Sequence, residues 1–467
     1  MFRAAKRNPP TILEGQTERM SRYEVVIVGA GVAGAAAAYH LSLVTELSDN
    51  SVCILEAGVV GRGSQDGIPL VPHAQISSDD LADVVGGMFT YAQSSGTAVF
   101  ENPAAAAIKM IVNVFPCSAD TYISNFGEEG ARSYLRLAHK GLELEKKLAS
   151  SLLEDPSSQL TCEGSLYVCL EEDVDAFTRE YQLLQYLGAK SIELWDKSRT
   201  QFAAGDGFSL GIYFPDDAVI DSSSYAAGLI RSAVASGKVR LIDNSSPVVS
   251  VETKENEENS LATTKLKNGE IITSAWVVLA TGGLFMDPHL AGILTPCWSY
   301  LVAIPEPPLN EAAKEDNAFR LKHPNSLNFF SWGFTHDWCL TKGNLRCSGE
   351  DHFSAFKPPK SIERCKRLAE WTVEKLSYLK LSENEYESRY GVYSETPDHS
   401  PLVGTTHPSS RVCYLLGCNA WGQAVLSFAA SLVPALLGMA AMAKEDEEDF
   451  KVLNIRRFAL LNSVLDK

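Results

Sequence analysis

The sequence predicts an α/β fold, α+β overall, in which a parallel-sheet nucleotide-binding domain is joined to a second domain. Three observations predict it: a strand running into a glycine-rich turn and helix near the start, a second apolar strand with a small-residue end at residues 275–283, and a length of 467 residues. Residues 23–34 read YEVVIVGAGVAG. Gly29 permits a tight turn, Gly31 lets the backbone approach a pyrophosphate, and Gly34 allows close packing of helix on strand, while the helix start offers N–H donors to an anion. A second strand at residues 51–55 (SVCIL) leads to Glu56, about 20 residues past the last glycine, where an acid can bond a ribose hydroxyl. Together these elements predict a Rossmann-type site for a dinucleotide, whether NAD, NADP or FAD. Val32, Ala33 and Ala57 flank the same predicted site.

At about 150 residues per domain the chain suggests two or three domains, and two intimately joined ones fit best. Hydrophobic residues at 45% and charged residues at 21% are ordinary for a globular chain and exclude global disorder. A net charge of −17 excludes a nucleic-acid partner, which needs clustered Lys and Arg. The 10 cysteines stand singly without a CxxC pair, which predicts no disulfide framework, no metal site and a reducing intracellular compartment, the cytoplasm. Residues 1–22, with Arg3, Lys6, Arg7 and Pro9-Pro10, are expected to be a disordered leader, mitochondrial or plastid import being the alternative. Residues 424–443 (AVLSFAASLVPALLGMAAMA) approach the length of a bilayer span. Ser427, Ser431, Pro434 and a glycine-rich start instead predict a buried helix and no membrane span.

Along the chain, residues 61–67 (GRGSQDG) form a glycine-rich loop expected to close on the nucleotide. Helical patterning covers residues 118–154, 173–187 and 224–236, and strands are expected at 164–170, 191–195, 239–242, 247–251 and 275–280, with a polar hairpin around 255–259. Residues 295–378 are rich in aromatics, including Trp298, Tyr300, Phe329, Phe330 and Trp338, and read as core before they read as a substrate box.

Two late motifs narrow the cofactor. Residues 396–404 read TPDHSPLVG, and residues 415–423 read LLGCNAWGQ, a strand turning through glycines into an apolar helix. Such a turn aims unpaired N–H groups and a positive helix end at one point, suited to developing negative charge. In order, GAGVAG with Glu56, GRGSQDG, AWVVLATGG, TPDHSPLVG and LLGCNAWGQ resemble the FAD-dependent D-amino-acid oxidase, glycine oxidase and sarcosine oxidase family, over about Glu24 to Gly438.

The resemblance implies a discontinuous FAD-binding domain (residues 23–85, 216–290 and 386–467) and an interposed substrate domain with a mixed or antiparallel sheet (86–215 and 291–385). Carried over by position, Gly29, Gly31, Gly34 and Glu56 hold the ADP half, and Arg62, Gly63 and Ser64 lie near the pyrophosphate or flavin. Val248 pairs with adenine through its backbone, and Thr281, Gly282, Gly417, Asn419, Gly422 and Gln423 complete the site. Sarcosine oxidase-like members carry a flavin-linking cysteine two residues before the tyrosine of the TPD motif, where this chain has Gly391 before Tyr393. Dimethylglycine dehydrogenase-like members use a histidine in the early loop, where this chain has Gln65, His73 lying further on. Non-covalent FAD is therefore expected.

The implied activity is oxidation of the C–H beside an amine, in an amino acid or secondary amine, by hydride transfer to flavin N5, with O2 or another acceptor re-oxidising the flavin. In glycine oxidase-like members an arginine clamps the substrate carboxylate, and residues 338–349 offer Lys342 and Arg346. Arg346 is the candidate, with a salt bridge as its plain alternative. His336 is a candidate for orienting substrate, against a structural hydrogen bond. Tyr393 and Trp421 are expected to touch the flavin or line its pocket. The small amine or amino acid is the one partner implied, and nothing specifies an oligomeric state. Two other functions share the FAD residues: a 2-hydroxy-acid dehydrogenase, with His336 or His73 as base, and a non-catalytic FAD-binding assembly factor.

Overall fold

The computed structural model describes residues 21–57, 68–69, 108–111, 114–189, 191–243, 246–253, 261–282, 290, 292–305, 327–341, 344–354, 361–377 and 386–458. Its first sheet is the expected nucleotide-binding one. The strands Ser21–Val28, Val52–Leu55 and Val239–Ile242 run parallel, and Ile271–Leu279 adds on the other side of the first. Their unbroken apolar runs suit strands buried on both faces, and Val52–Leu55 is buried at every residue. Ile271–Leu279 then divides its partners. Residues 271–274 pair antiparallel with Ala262–Leu266, which continues to Val248–Thr253, while Val277, Val278 and Leu279 pair in parallel with Val412, Cys413 and Tyr414 of the late strand Val412–Leu416.

Helices cover this sheet. Val32–Ser42 packs on Ser222–Ala235 and on Gln423–Ser431, which in turn lies against the long helix Ala119–Leu152. That helix begins at the Ser118 cap, whose hydroxyl accepts from Thr121 N–H, and it is kinked at Gly127. Its crossing with Gln423–Ser431 is close enough that a Cβ at Gly141 would lie 1.9 Å from the Ala424 carbonyl oxygen. The apolar run at 424–443 is the buried element expected, split into Gln423–Ser431 and a short turn Val433–Leu436 around Pro434. No helix among the described residues is long and apolar enough to cross a membrane.

The second sheet has nine strands, in the order Ile68–Pro69, Glu387–Glu395, Thr295–Pro305, Asn344–Phe353, His336–Thr341, Asn328–Ser331, Ser165–Cys169, Leu210–Phe214 and Glu193–Trp195. Of its eight ladders among the described residues, seven are antiparallel and one, Asn328–Ser331 on Ser165–Cys169, is parallel, which makes the sheet mixed. Helix Ser361–Lys375 covers one face, against Leu345 and Cys347. Trp298, Tyr300, Phe329 and Trp338 belong to that core, so the aromatic segment is packing first. Two boundaries shift. The strand Glu387–Glu395 pairs with Thr295–Pro305 in this sheet, so a border at 386 moves to about 395. Ser21 and Arg22, expected in the leader, already pair with Ile272 and Thr273, and residues 1–20 lie outside the described ones.

Gly141→Val tests the helix crossing. The added carbons must displace the Ala424 backbone, so a loss of about 1–3 kcal/mol is expected from overpacking. Urea unfolding should give a lower midpoint at unchanged slope, and an unchanged midpoint contradicts the packing.

Candidate active site

The glycine turn sits where the two central strands end. Gly29 has φ +100°, and a Cβ on Gly34 would lie 1.9 Å from the Gly29 carbonyl oxygen, so the turn keeps this form only if the position is bare. Glu56 closes the turn from the neighbouring strand, its Oε2 accepting the Ala30 N–H at 2.8 Å. Helix Val32–Ser42 has Gly31 as its N-cap and no side-chain cap, and Gln423–Ser431 likewise starts from Gly422 without one. Two helix starts therefore present N–H groups that no capping side chain takes.

Both starts face one cavity of about 230 Å³. Gly31, Val32, Ala33, Gly282, Gly417 and Gln423 line it, together with Tyr393, Trp421 and Arg346. A second chamber of about 700 Å³ adjoins it across Phe334, Thr335, Asp351, Tyr393, Ala420 and Trp421, which border both. Ser394 links the glycine ends: its hydroxyl donates to the Gly282 carbonyl at 3.0 Å and accepts from Gly417 N–H at 3.2 Å.

Strand Asn344–Phe353 supplies the charge. Leu345 and Cys347 point to the helix-covered core, so alternation turns Arg346 and Ser348 to the cavity face. Arg346 is 2% exposed; its NH1 is 3.6 Å from Asp337 Oδ2 and its NH2 is 3.4 Å from Ser348 Oγ. Its Nε has no hydrogen-bond partner. Ser348 in turn donates to Asp337. Simple alternation would then bury Asp351 on the core face, but the ladder slips by one residue: Tyr300 pairs with Gly349 and Trp298 with His352. This bulge gives Glu350 a φ of +56° and turns Asp351 to the cavity. Glu350 is held in that conformation by helix Ser361–Lys375, with Arg364 donating to its carbonyl at 2.9 Å and Arg367 to its carboxylate at 2.6 Å.

Tyr393 Oη lies 2.8 Å from Asp351 Oδ2 and 3.1 Å from Glu395 Oε1. One phenol proton serves only one carboxylate, so the trio is satisfied when the other carboxyl is protonated. Although Asp351 is exposed at the edge of the cavity, desolvation by the surrounding protein pushes it up to about 6, against the hydrogen bonds of Ser299 and Tyr393, and desolvation also raises Glu395.

The other expected residues divide. His336 lines only the outer chamber; its ring stacks on Trp371 at 3.9 Å and burial lowers it to about 4, the setting of a structural histidine. Asn419 uses its side chain on backbone groups, accepting from Thr396 N–H at 2.8 Å and donating to the Gly417 carbonyl of its own turn at 2.6 Å. Val248 opens an outer antiparallel strand, and neither it, Ala57 nor Thr281 lines the cavity. Gly29, Gly34 and Gly422 shape backbone turns. Arg62, Gly63, Ser64, Gln65, His73 and Lys342 lie outside the described residues.

The sequence model of the FAD dependent oxidoreductase family, DAO, matches residues 24–433. The chain belongs to this family. DAO members are FAD-dependent, and this protein is an FAD-dependent oxidoreductase. No curated protein sequence matches it. Among solved structures it is similar to glycine oxidase from Geobacillus kaustophilus (TM-score 0.63, 18% identity, covering 91% of this chain and 96% of that one). It is also similar to L-proline dehydrogenase from P. horikoshii (0.60, 15%, 94% and 99%) and to L-α-glycerophosphate oxidase from Mycoplasma pneumoniae with FAD bound (0.59, 14%, 90% and 95%). These likenesses extend the DAO fold over both sheets. Asp351, Ser394 and Glu395 had not been expected in the site. A bulge is invisible to alternation, and a lone serine carries no motif.

Gly34→Val should leave a folded protein that no longer retains FAD, read as loss of the flavin absorbance through gel filtration; retained flavin contradicts the turn geometry. Asp351 gives a pH prediction. Its value is 3.8 unfolded and about 6 folded, so between them the native state binds more protons and stability falls as pH rises. Relative to Asp351→Asn, the apoprotein should be at its most stable below about pH 4 and lose that margin through about pH 6. A difference that is constant with pH contradicts the assignment.

Proposed function

We propose that the protein oxidises the C–H bond beside an amine in a carboxylate-bearing substrate, an amino acid or secondary amino acid, with FAD held non-covalently. The observation that carries this reading is Arg346, a buried guanidinium that lines the cavity and whose Nε has no hydrogen-bond partner among the described residues. A buried, incompletely bonded cation is costly, and a substrate carboxylate would complete it in the paired geometry arginine favours. The FAD placement is supported by the two uncapped helix starts, the bare Gly34 position and Glu56 beside the turn. In that placement Gly31, Val32, Ala33, Gly282, Gly417 and Gln423 border the cofactor, Gly29 and Gly34 keep the turn tight, and Gly422 starts the second helix. The side chain at 391, two residues before Tyr393, is absent, which agrees with a cofactor that is not linked there.

When bound, FAD supplies a two-electron hydride acceptor. The chain's own part is to fix, dry and deprotonate. Arg346 anchors the carboxylate and so sets which C–H faces the cofactor end. Phe334 and Trp421, in contact at 5.4 Å between ring centroids, wall the reacting end from water. The amine must lose its proton before it can give up hydride, and the Asp351 carboxylate can receive that proton with Tyr393 and Glu395 beside it.

A second reading has one specific observation in its favour: the same carboxyl group could take the hydroxyl proton of a 2-hydroxy acid. His336, stacked and lowered by burial, is a weaker base for that role. Turnover on a panel of amino acids, N-methyl amino acids and 2-hydroxy acids separates the two, and absence of flavin reduction by every member under anaerobic conditions supports the assembly-factor reading instead. Arg346→Met should raise KM for carboxylate-bearing amines roughly 10- to 100-fold and abolish competitive inhibition by acetate-like anions. Unchanged KM removes Arg346 from the substrate.

A further inference from the structure

Helix Ala119–Leu152 buries one carboxyl group that the proposed reaction does not use. Glu145 is 0% exposed and lies where three helices meet. Its Oε2 accepts from Gln423 Nε2 at 3.2 Å, and its Oε1 accepts from the Ser427 hydroxyl. Gln423 and Ser427 stand one turn apart on Gln423–Ser431, and Gly141 stands one turn before Glu145. The close crossing at Gly141 is what brings this carboxyl within reach of both. The far end of the Gln423 amide is fixed as well, its Oε1 accepting from the Ser222 hydroxyl at 3.0 Å. Gln423 itself is the first residue of its helix and lines the cavity.

The surroundings of Glu145 offer no counter-charge. From Gln423–Ser431 it meets an amide and a hydroxyl, and from Ser222–Ala235 it meets Tyr225, whose buried hydroxyl has no hydrogen-bond partner; Tyr39 of Val32–Ser42 lies behind Tyr225. Among the described residues no lysine, arginine or histidine pairs with it. An isolated carboxylate in a dry interior is expensive, so the neutral acid is the stable form. Burial accordingly pushes its pKa up to about 7, against the Ser427 and Gln423 hydrogen bonds.

We infer that Glu145 is a positioning residue for the cofactor end of the cavity: as the neutral acid it fixes Gln423 at the start of its helix, and ionised it sets a negative charge behind that start. The inference rests on the proposed FAD placement and is independent of the substrate. A helix start favours negative charge in front of it. A carboxylate directly behind Gln423 offsets that field, so bound FAD becomes harder to reduce, and is held less tightly, as pH rises through about seven.

The test compares the holoenzyme of wild type with Glu145→Gln, which keeps the shape and cannot ionise. Midpoint potential of bound FAD and FAD dissociation constant are measured between about pH 5.5 and 8.5. The curves should coincide at the acidic end and separate above neutrality, with the wild type at the more negative potential and holding FAD several-fold more weakly. A purely structural glutamate would move the unfolding midpoint and leave the two potential curves superimposed, which overturns the inference. Gln423→Ala is the control on placement. An unchanged absorption spectrum of bound FAD in that variant overturns the placement at this helix, and the inference with it. A changed spectrum beside superimposed Glu145 curves overturns the inference alone.

Discussion

The site depends on a single hydroxyl where the two sheets meet. Ser394 belongs to the last strand of the second sheet, yet its side chain joins Gly282, at the end of one strand of the first sheet, to Gly417, at the end of the next. Its carbonyl also accepts from Asn419 N–H at 3.1 Å. Three backbone segments from different parts of the chain thereby meet in one completely buried residue. Such bonds are worth about 1 kcal/mol each in stability. Their weight here is geometric, because the cavity is lined from both sheets, and a shift of one against the other would change its shape.

The second constraint is parity along Asn344–Phe353. A strand can offer only alternate residues to a cavity, so Arg346 and Ser348 come at the expense of Leu345 and Cys347, which hold the helix on the other face. The bulge at Glu350 resets the alternation and adds Asp351 to the same wall. Its strained backbone is stabilised by Arg364 and Arg367 from Ser361–Lys375. The helix is thus more than a cover for the core. It holds the backbone form that turns a carboxyl group into the cavity.

The sequence made the nucleotide-binding half legible because the physics there is local. A turn at φ +100° and a position with no room for a Cβ require glycine, and each strand is an unbroken apolar run. The apolar segment after Gly422 was legible as buried helix for a similar reason, its serines and Pro434 interrupting a run of nearly spanning length. Arg346 could be named as a candidate, but its burial follows from a register fixed by distant partners. Asp351 depends on a one-residue slip, Ser394 on the meeting of two sheets, and Glu145 on a helix crossing that Gly141 permits. Each of these is a relation between segments far apart in sequence, and none leaves a spacing to read. The strand Glu387–Glu395 misled the domain border for the same reason: its pairing partner lies about ninety residues earlier.

The charges of the cavity fit together on one principle, that a dry space tolerates a charge only beside its opposite. Arg346 keeps Asp337 within 3.6 Å, and Ser348 bonds that same carboxylate, so the pair leaves the guanidinium edge at Nε as the incompletely bonded group. Among the described residues no lysine or arginine pairs with Asp351 or Glu395; loss of hydration raises both, and Tyr393 lies within hydrogen-bond reach of both. Glu145, with no cation paired to it among the described residues, is raised in the same way behind Gln423. A carboxylate arriving at Arg346 is therefore stabilised where a cation would be repelled, while an ammonium near Asp351 meets a group able to take its proton. The proposed substrate carries both groups, and in the proposed reaction it gives up one proton before it gives up hydride.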